Sequence, residues 1–239
     1  MSLKKNLNLS IIYQDNDIVV VNKPAGVAVH KGVAEKGETV ADWLMEKFPE
    51  MKKVGDEPEF RPGIVHRLDK DTSGVLVAAR IQKSFEFLKN QFQKREVVKK
   101  YLALVEGVLK NDNGTIALPI GRSKSDFRKK LASDSAKGEL REAVTEYKVL
   151  ERFPNHTLVE AYPKTGRTHQ IRVHFKAIGH PVVCDHLYGG KRMTCPFGLA
   201  RHFLHANFLE FVSPSGARLK LEADLPEDLE KVLTRLRKK

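Results

Sequence analysis

What this chain lacks narrows its class before any motif is read. Its only cysteines are Cys184 and Cys195, too few for a disulfide framework, so reduced thiols are expected. No signal-like start precedes Leu3-Lys4-Lys5, and no apolar run approaches the ~20 residues that span a bilayer. A cytoplasmic protein with no membrane partner is expected. No repeat and no low-complexity linker interrupts the sequence, which argues for a single domain over residues 1–239. A Walker-type phosphate loop and a dinucleotide glycine fingerprint after a strand are both missing. His180, Cys184, His186, Cys195, His202 and His205 crowd together, but their spacing fits no paired-ligand pattern such as C-x-x-C with H-x-x-x-H. Neither a metal nor an organic cofactor is expected.

Acidic residues are also short. Forty-two Lys and Arg stand against 30 Asp and Glu, a formal net charge of +12. An excess of that size suits a polyanionic partner, because each neutralised phosphate releases condensed counterions.

Along the chain, Ser10-Ile11-Ile12-Tyr13 and Ile18-Val19-Val20-Val21 flank Gln14-Asp15-Asn16-Asp17 and read as a hairpin. Asn22-Lys23-Pro24-Ala25-Gly26 ends it, since proline lacks the donor that a central strand needs. Val40, Leu44 and Phe48, and again Phe85, Leu88 and Phe92, recur at helical spacing. Strands are expected over 97–109, 114–120, 143–150 and 157–162. A helix is expected over 171–178, with Gly179 just past its end. A last hairpin brackets Ser213-Pro214-Ser215-Gly216, and Pro226 opens a terminal helix with Leu229, Val232, Leu233 and Leu236 on one face. Strands joined mostly by short turns predict an α+β fold, a mixed and mainly antiparallel sheet flanked by helices.

The most informative stretch is 61–80, Arg-Pro-Gly-Ile-Val-His-Arg-Leu-Asp-Lys-Asp-Thr-Ser-Gly-Val-Leu-Val-Ala-Ala-Arg. A single acid, Asp69, sits between Arg67 and Lys70, ahead of a turn signal and an apolar strand. The segment resembles the signature of the RluA family of pseudouridine synthases, and the resemblance covers nearly the whole chain. It implies the pseudouridine synthase fold, the conversion of uridine to pseudouridine in ribosomal or transfer RNA, and Asp69 as the catalytic acid. A monomer is expected. Many relatives carry an S4-type domain before the catalytic one; with the first family-like strand beginning by Ser10, none is expected here.

The reaction needs a carboxylate at the nucleotide, a flipped base and little water. Asp69 supplies the carboxylate, as nucleophile or as base. An ionised, buried acid requires a cation and hydrogen bonds, for which Arg67 and Arg172 are the candidates. Lys164-Thr165-Gly166-Arg167-Thr168-His169-Gln170-Ile171-Arg172-Val173-His174 resembles the family's third motif, which implies Arg172 as the partner. The same resemblance implies that Arg67 fills the gap left by the flipped base, that Tyr101 stacks on the uracil or moves a proton, and that Ile171 walls the pocket. Asn22-Lys23-Pro24-Ala25-Gly26-Val27-Ala28-Val29-His30 resembles the family's first motif and reads as a structural loop beneath the active site, and His66 reads as a histidine bonded to a neighbouring loop.

Residues 123–142 are poor in apolar side chains and rich in cations: Lys124, Arg128, Lys129, Lys130, Lys137 and Arg141. They read as a basic loop that grips RNA phosphates and orders on binding. The helix ending Arg235-Leu236-Arg237-Lys238-Lys239 is a second basic element. Two rivals remain. A glycosidase would pair Asp69 with Asp71, ~6–7 Å apart along a strand, but Arg67 and Lys70 would lower both acids when a catalytic acid needs raising. The other is a non-catalytic RNA-binding protein of the same fold.

Overall fold

A computed structural model of the chain describes residues 7, 9–32, 37–123, 126, 128–132, 137–191 and 193–238. In chain order the elements are β1 (Ser10–Gln14), β2 (Ile18–Lys23), α1 (Val40–Lys47), β3 (Ser73–Ala79), α2 (Gln82–Gln93), β4 (Val98–Glu106), β5 (Asn113–Ile116), β6 (Ile120–Arg122) and β7 (Lys130–Leu131). They continue with β8 (Lys137–Arg141), β9 (Thr145–Phe153), β10 (His156–Pro163), α3 (Gln170–Ala177), β11 (Leu204–Val212), β12 (Arg218–Glu222) and α4 (Glu227–Arg237). The α+β class expected from the sequence is the one observed.

The chain forms two compact units. The first comprises Met1–Val97 and Phe208–Asp224. Its opening hairpin forms because the Asp15 carboxylate accepts from the amides of Asp17 and Ile18, both at 2.8 Å, and so closes the turn. β2 then pairs antiparallel with β3 from Ile18↔Ala79 to Lys23↔Gly74. Every residue of β3 is buried, as expected of a strand covered on both faces. Phe85 and Leu88 of α2 pack on Ile18, Val20, Val75 and Val77, with Leu209 and Phe211 of β11 in the same cluster. α1 opens with a capping box, Thr39 and Asp42 each accepting the other's backbone amide.

The second unit comprises Val98–Asn207 and Leu225–Lys239. Here β4 and β9 flank β10 antiparallel, β5 pairs with β9, and the core gathers Ala103, Val105, Val159, Ala161, Ile171 and Phe175. Gly179 follows α3 at φ 85, the left-handed conformation expected past a helix end. All four apolar residues of α4 are buried, packed with Leu104, Val183 and Phe203.

Two expectations need correction. The strand expected over 114–120 is two strands: β5 lies in the large sheet and β6 in a separate small sheet ordered β7-β6-β8. Pro119 stands between them, and a residue with no amide donor cannot continue a ladder. The basic stretch read as a loop that orders on RNA binding instead holds β7 and β8 among its described residues. Gly121 and Arg122 pair with Leu131 and Lys130, and Ile120 with Arg141. The turn is closed locally: the Asp126 amide donates to Ser123 Oγ, and the amides of Lys129 and Arg128 donate to the Asp126 carbonyl and carboxylate. Lys124 lies outside the described residues.

Gly63 is the position that ties local geometry to the rest of the first unit. Its φ is 64°, and a Cβ there would stand 2.1 Å from the Ala79 carbonyl oxygen. Only glycine fits, because its backbone lies directly on β3: the Ala79 amide donates to the Gly63 carbonyl at 2.9 Å, and Ile64 bridges Ala78. Gly63→Ala is expected to cost at least ~2 kcal/mol in urea melts. Gly179→Ala, where an added Cβ meets nothing within 4 Å, is expected to cost about 1 kcal/mol.

Candidate active site

The signature segment leaves Gly63 and runs toward β3 with its side chains sorted by exposure. Leu68 is buried, Asp69 half-buried, and Arg67, Lys70 and Asp71 are exposed. His66 is fixed rather than exposed to a reactant. Its Nε2 accepts the Val77 amide at 3.1 Å and its ring stacks on Phe92 at 4.7 Å. A nitrogen that accepts from a backbone amide carries no proton of its own, so His66 positions the segment on β3. Asp69 closes a turn, its carbonyl accepting from the Thr72 amide at 3.1 Å.

The first motif turns out to be a clamp on that turn. Lys23 has no exposed surface. Its ammonium donates to the carbonyls of Pro24 (2.9 Å), Val27 (2.7 Å) and Lys70 (2.9 Å), and the Gly26 amide donates to the same Lys70 carbonyl at 3.0 Å. A buried ammonium is tolerated where its protons find acceptors. Here the acceptors are backbone atoms of two loops 47 residues apart, so Lys23 fixes the residue next to Asp69. The sequence marks this loop as structural but gives no sign that its lysine is the fastener.

In the second unit, Tyr101 lies on β4 opposite Ala161 of β10, half-buried against the same apolar cluster that contains Ile171. The structure therefore brings these two expected pocket residues together. α3, which carries Ile171 and Arg172, is held at its start by Gln170. Gln170 Oε1 accepts from Thr165 Oγ1 (2.6 Å) and the Arg167 amide (3.0 Å), and its Nε2 donates to the Val144 carbonyl and Thr145 Oγ1, both at 2.9 Å. Below it, His174 lies between Thr145 Oγ1 and the Leu118 carbonyl. Burial holds this imidazole below its ordinary value, outweighing the upward pull of the Leu118 carbonyl, so it stays neutral.

Arg172 is buried, and two of its donors go to a residue that no sequence motif assigns. Nε donates to Asp185 Oδ2 at 2.7 Å and Nη2 to Asp185 Oδ1 at 2.9 Å, with the guanidinium carbon 5.1 Å from the centre of the Tyr188 ring. Asp185 is fully buried, and its Oδ1 also accepts the amides of Leu187 and Tyr188. Burial alone would raise this carboxyl; the Arg172 hydrogen bonds and charge, His202 and the Tyr188 amide together hold it below the usual carboxylate range. Tyr188 continues the chain of contacts, its hydroxyl meeting His169 Nδ1 at 2.8 Å and accepting the Lys130 amide at 2.9 Å. The basic sheet is thus bonded to the residue that begins α3.

Other expected RNA contacts fare differently. Arg128 is exposed but paired with Asp126 at 2.9 Å, and that pairing lowers the Asp126 carboxyl to about 2. At the C-terminus, Arg235 stacks on Phe197 and Arg237 pairs with Glu151. The expectation of reduced thiols is overturned: Cys184 and Cys195 form a disulfide, because the Cys184 amide donates to the Thr194 carbonyl and brings the two segments side by side. His186 stands close enough to complete a three-residue metal-ligand group with them, but in this structure the sulfurs are bonded to each other.

The family model described as RNA pseudouridylate synthase matches residues 17–177. This chain belongs to that family. It is 43% identical over 237 residues to the uncharacterized RNA pseudouridine synthase YlyB of Bacillus subtilis, covering 99% of this chain and 75% of that one. It is 40% identical to ribosomal large subunit pseudouridine synthase D of Pseudomonas aeruginosa, over 98% and 74% of the two chains. Among solved structures, human RNA pseudouridylate synthase domain containing 4 superposes with a TM-score of 0.76 at 29% identity, over 95% of this chain and 93% of that one. As an RNA pseudouridine synthase the protein is an isomerase, and the fold named from the resemblance is confirmed.

Two outcomes follow from the fastenings. Lys23→Met removes a donor from three backbone carbonyls, leaving that of Lys70 with the Gly26 amide alone, and is expected to cost about 3 kcal/mol or more, together with activity, because the backbone next to Asp69 is held less firmly; paired urea melts and turnover assays check both. Asp185→Asn strips the charge that compensates the buried Arg172 and is expected to cost about 3–5 kcal/mol. Because the folded carboxyl lies below its ordinary value of 3.8, the stability it contributes is present above that pH and lost as pH falls from there through the folded value. Wild-type stability measured from pH 6 to 2 should show that loss, and Asp185→Asn should show less of it.

Proposed function

We propose that Asp69 is the catalytic carboxylate and that Tyr101, Ile171 and Arg172 serve the same uridine, with Arg172 as the cation that compensates the acid. The observation that carries this reading is the effort spent on the turn that bears Asp69. A buried lysine, a glycine no other residue can replace and a histidine bonded to β3 all hold it, while the acid keeps partial exposure. That is the arrangement of a group that must meet a reactant, since a carboxylate needed only for packing would be fully buried as Asp185 is.

In the reaction the N1–C1′ bond breaks, the uracil turns, C5 bonds to C1′, and the C5 proton is lost as N1 gains one. Every atom of the nucleotide is retained and no electrons are exchanged, so no redox cofactor is required. The Asp69 carboxylate acts at the ribose or base during cleavage and rejoining. Tyr101 and Ile171 offer the flat and apolar walls between which a uracil is held and water excluded. Arg67, exposed in the same segment, occupies the place in the RNA stack that the base vacates; a guanidinium can stack on bases and hydrogen-bond at its edge.

The proposed substrate is large-subunit ribosomal RNA, by the names that several relatives carry, among them those of Pseudomonas aeruginosa and Xanthomonas campestris. A monomer acting in the cytoplasm is part of the same proposal, as is one catalytic domain formed by the whole chain.

Asp69→Asn preserves shape and removes the charge, and is expected to lower pseudouridine formation in transcribed large-subunit RNA by at least ~10³-fold while RNA binding is retained. Activity within tenfold of wild type would reject the assignment. A glycosidase would release free base in the same assay; the synthase releases none.

A further inference from the structure

The basic sheet and the loop before α3 enclose a cleft of about 490 Å³, within the range of sites that hold a small ligand rather than a single ion. Buried Ile120 lines it, and among the described residues four cations surround it, Arg122, Lys130, Arg141 and Arg167, against one acid, Glu139. The acid is engaged with Arg141, whose Nε and Nη2 lie 3.3 and 3.2 Å from its Oε2. Arg167 is fixed at the rim by donating Nε to the Glu142 carbonyl at 3.1 Å. This gathering acts against its own members. The Lys130 ammonium is pushed below its ordinary value by burial and then by Arg122 and Arg141, and such like-charge crowding persists where an anion is to be received.

We propose that this cleft is a nucleotide subsite distinct from the one that takes the reacting uridine, holding one unpaired RNA nucleotide by its backbone phosphate. The proposal rests on the RNA reading above and extends it to a second nucleotide. Arg122, together with the donors of Arg141 and Arg167 that are not directed at Glu139 and the Glu142 carbonyl, offers planar N–H groups that match phosphate oxygens, and buried Ile120 gives an apolar surface for a base or ribose. The volume accommodates a nucleotide but not a base pair, which selects the unpaired regions where bases can splay outward. Thr168 lines the cleft four residues before Arg172, a separation of at most ~14 Å in an extended chain, so the bound nucleotide lies near the reacting one. The sheet is therefore less a loop that orders on RNA than one wall of a preformed groove, bonded to the base of α3 through Tyr188.

Gly166 provides a test that leaves charge untouched. It lines the cleft, its φ is not in the left-handed region, and an added Cβ meets nothing within 4 Å, so the Cβ of Gly166→Leu is accepted without a clash and the variant adds apolar bulk at the cleft. Binding to transcribed large-subunit ribosomal RNA is measured by filter retention across salt concentrations for this variant and for the double substitution Arg122→Gln, Lys130→Gln. A control removes the same charge from the exposed Lys52 and Lys53. The cleft double substitution is expected to raise Kd at least tenfold and to lower the slope of log Kd against log salt by roughly 0.7 to 0.9 for each phosphate no longer neutralised. Gly166→Leu is expected to raise Kd by a similar factor with Tm unchanged, and the control by less than threefold. Unaltered binding by Gly166→Leu, a control as damaging as the cleft substitutions, or displacement of the RNA by uridine monophosphate as effective as unlabelled RNA would each overturn the proposal. Failure of the catalytic reading looks different: the wild type would then make no pseudouridine in this RNA, while the cleft variants still bound it more weakly.

Discussion

The buried pair of Arg172 and Asp185 is the constraint on which the second unit depends. Withdrawing two charges from water costs several kcal/mol each, and mutual attraction recovers it only when geometry is good and the remaining donors and acceptors are satisfied. Both conditions are met here. The fork is bidentate at 2.7 and 2.9 Å, and Asp185 takes two backbone amides as well. An apolar pair of similar volume would hold the helix to the loop at least as firmly, so stability alone does not explain the charges. What they supply is a guanidinium of fixed orientation at the start of α3, held by its neighbours before any substrate arrives.

The same logic recurs around every segment of the proposed site. Lys23 satisfies three carbonyls from two distant loops; Gln170 satisfies four partners around the start of α3; Tyr188 joins His169 to the backbone of β7. Each is a polar side chain with little or no exposure that replaces the ladder hydrogen bonds an irregular segment cannot make for itself. The functional segments are loops by conformation, but they are held as tightly as the strands they flank. This preorganisation suits a reaction that must keep a cleaved base in place while it turns.

Charge is distributed with corresponding economy. The net +12 is a property of the whole chain, yet many cations are neutralised within the protein: Arg128 by Asp126, Arg201 by Asp228, Arg237 by Glu151. Arg122, Lys130, Arg141 and Arg167, by contrast, surround one cleft with one acid among them. An excess gathered in this way attracts RNA at long range and orients it at short range, which a uniform coat of lysines would not do.

Features that rest on local pattern are legible in the chain alone. Alternation and helical spacing locate the opening hairpin, α1, α2, β4, β9, β10, α3 and α4, because side-chain periodicity follows from backbone geometry and is visible within a few residues. The acid set between Arg67 and Lys70, just ahead of a turn signal and an apolar strand, marks Asp69 by a pattern equally local. Local signals also explain one error: the Ser123 and Asp126 turn that makes β7 possible is legible as a turn, but low apolar content outweighs it. The remaining features arise only through tertiary packing. That Asp185 grips Arg172, that Lys23 holds the carbonyl beside Asp69, that Cys184 meets Cys195 and that four cations share one cleft all depend on groups 11 to 47 residues apart along the chain or on different strands. No periodicity encodes such pairings. They are fixed by the requirement that every polar group carried inward by the fold find its partner there, and that requirement can be met only once the fold exists.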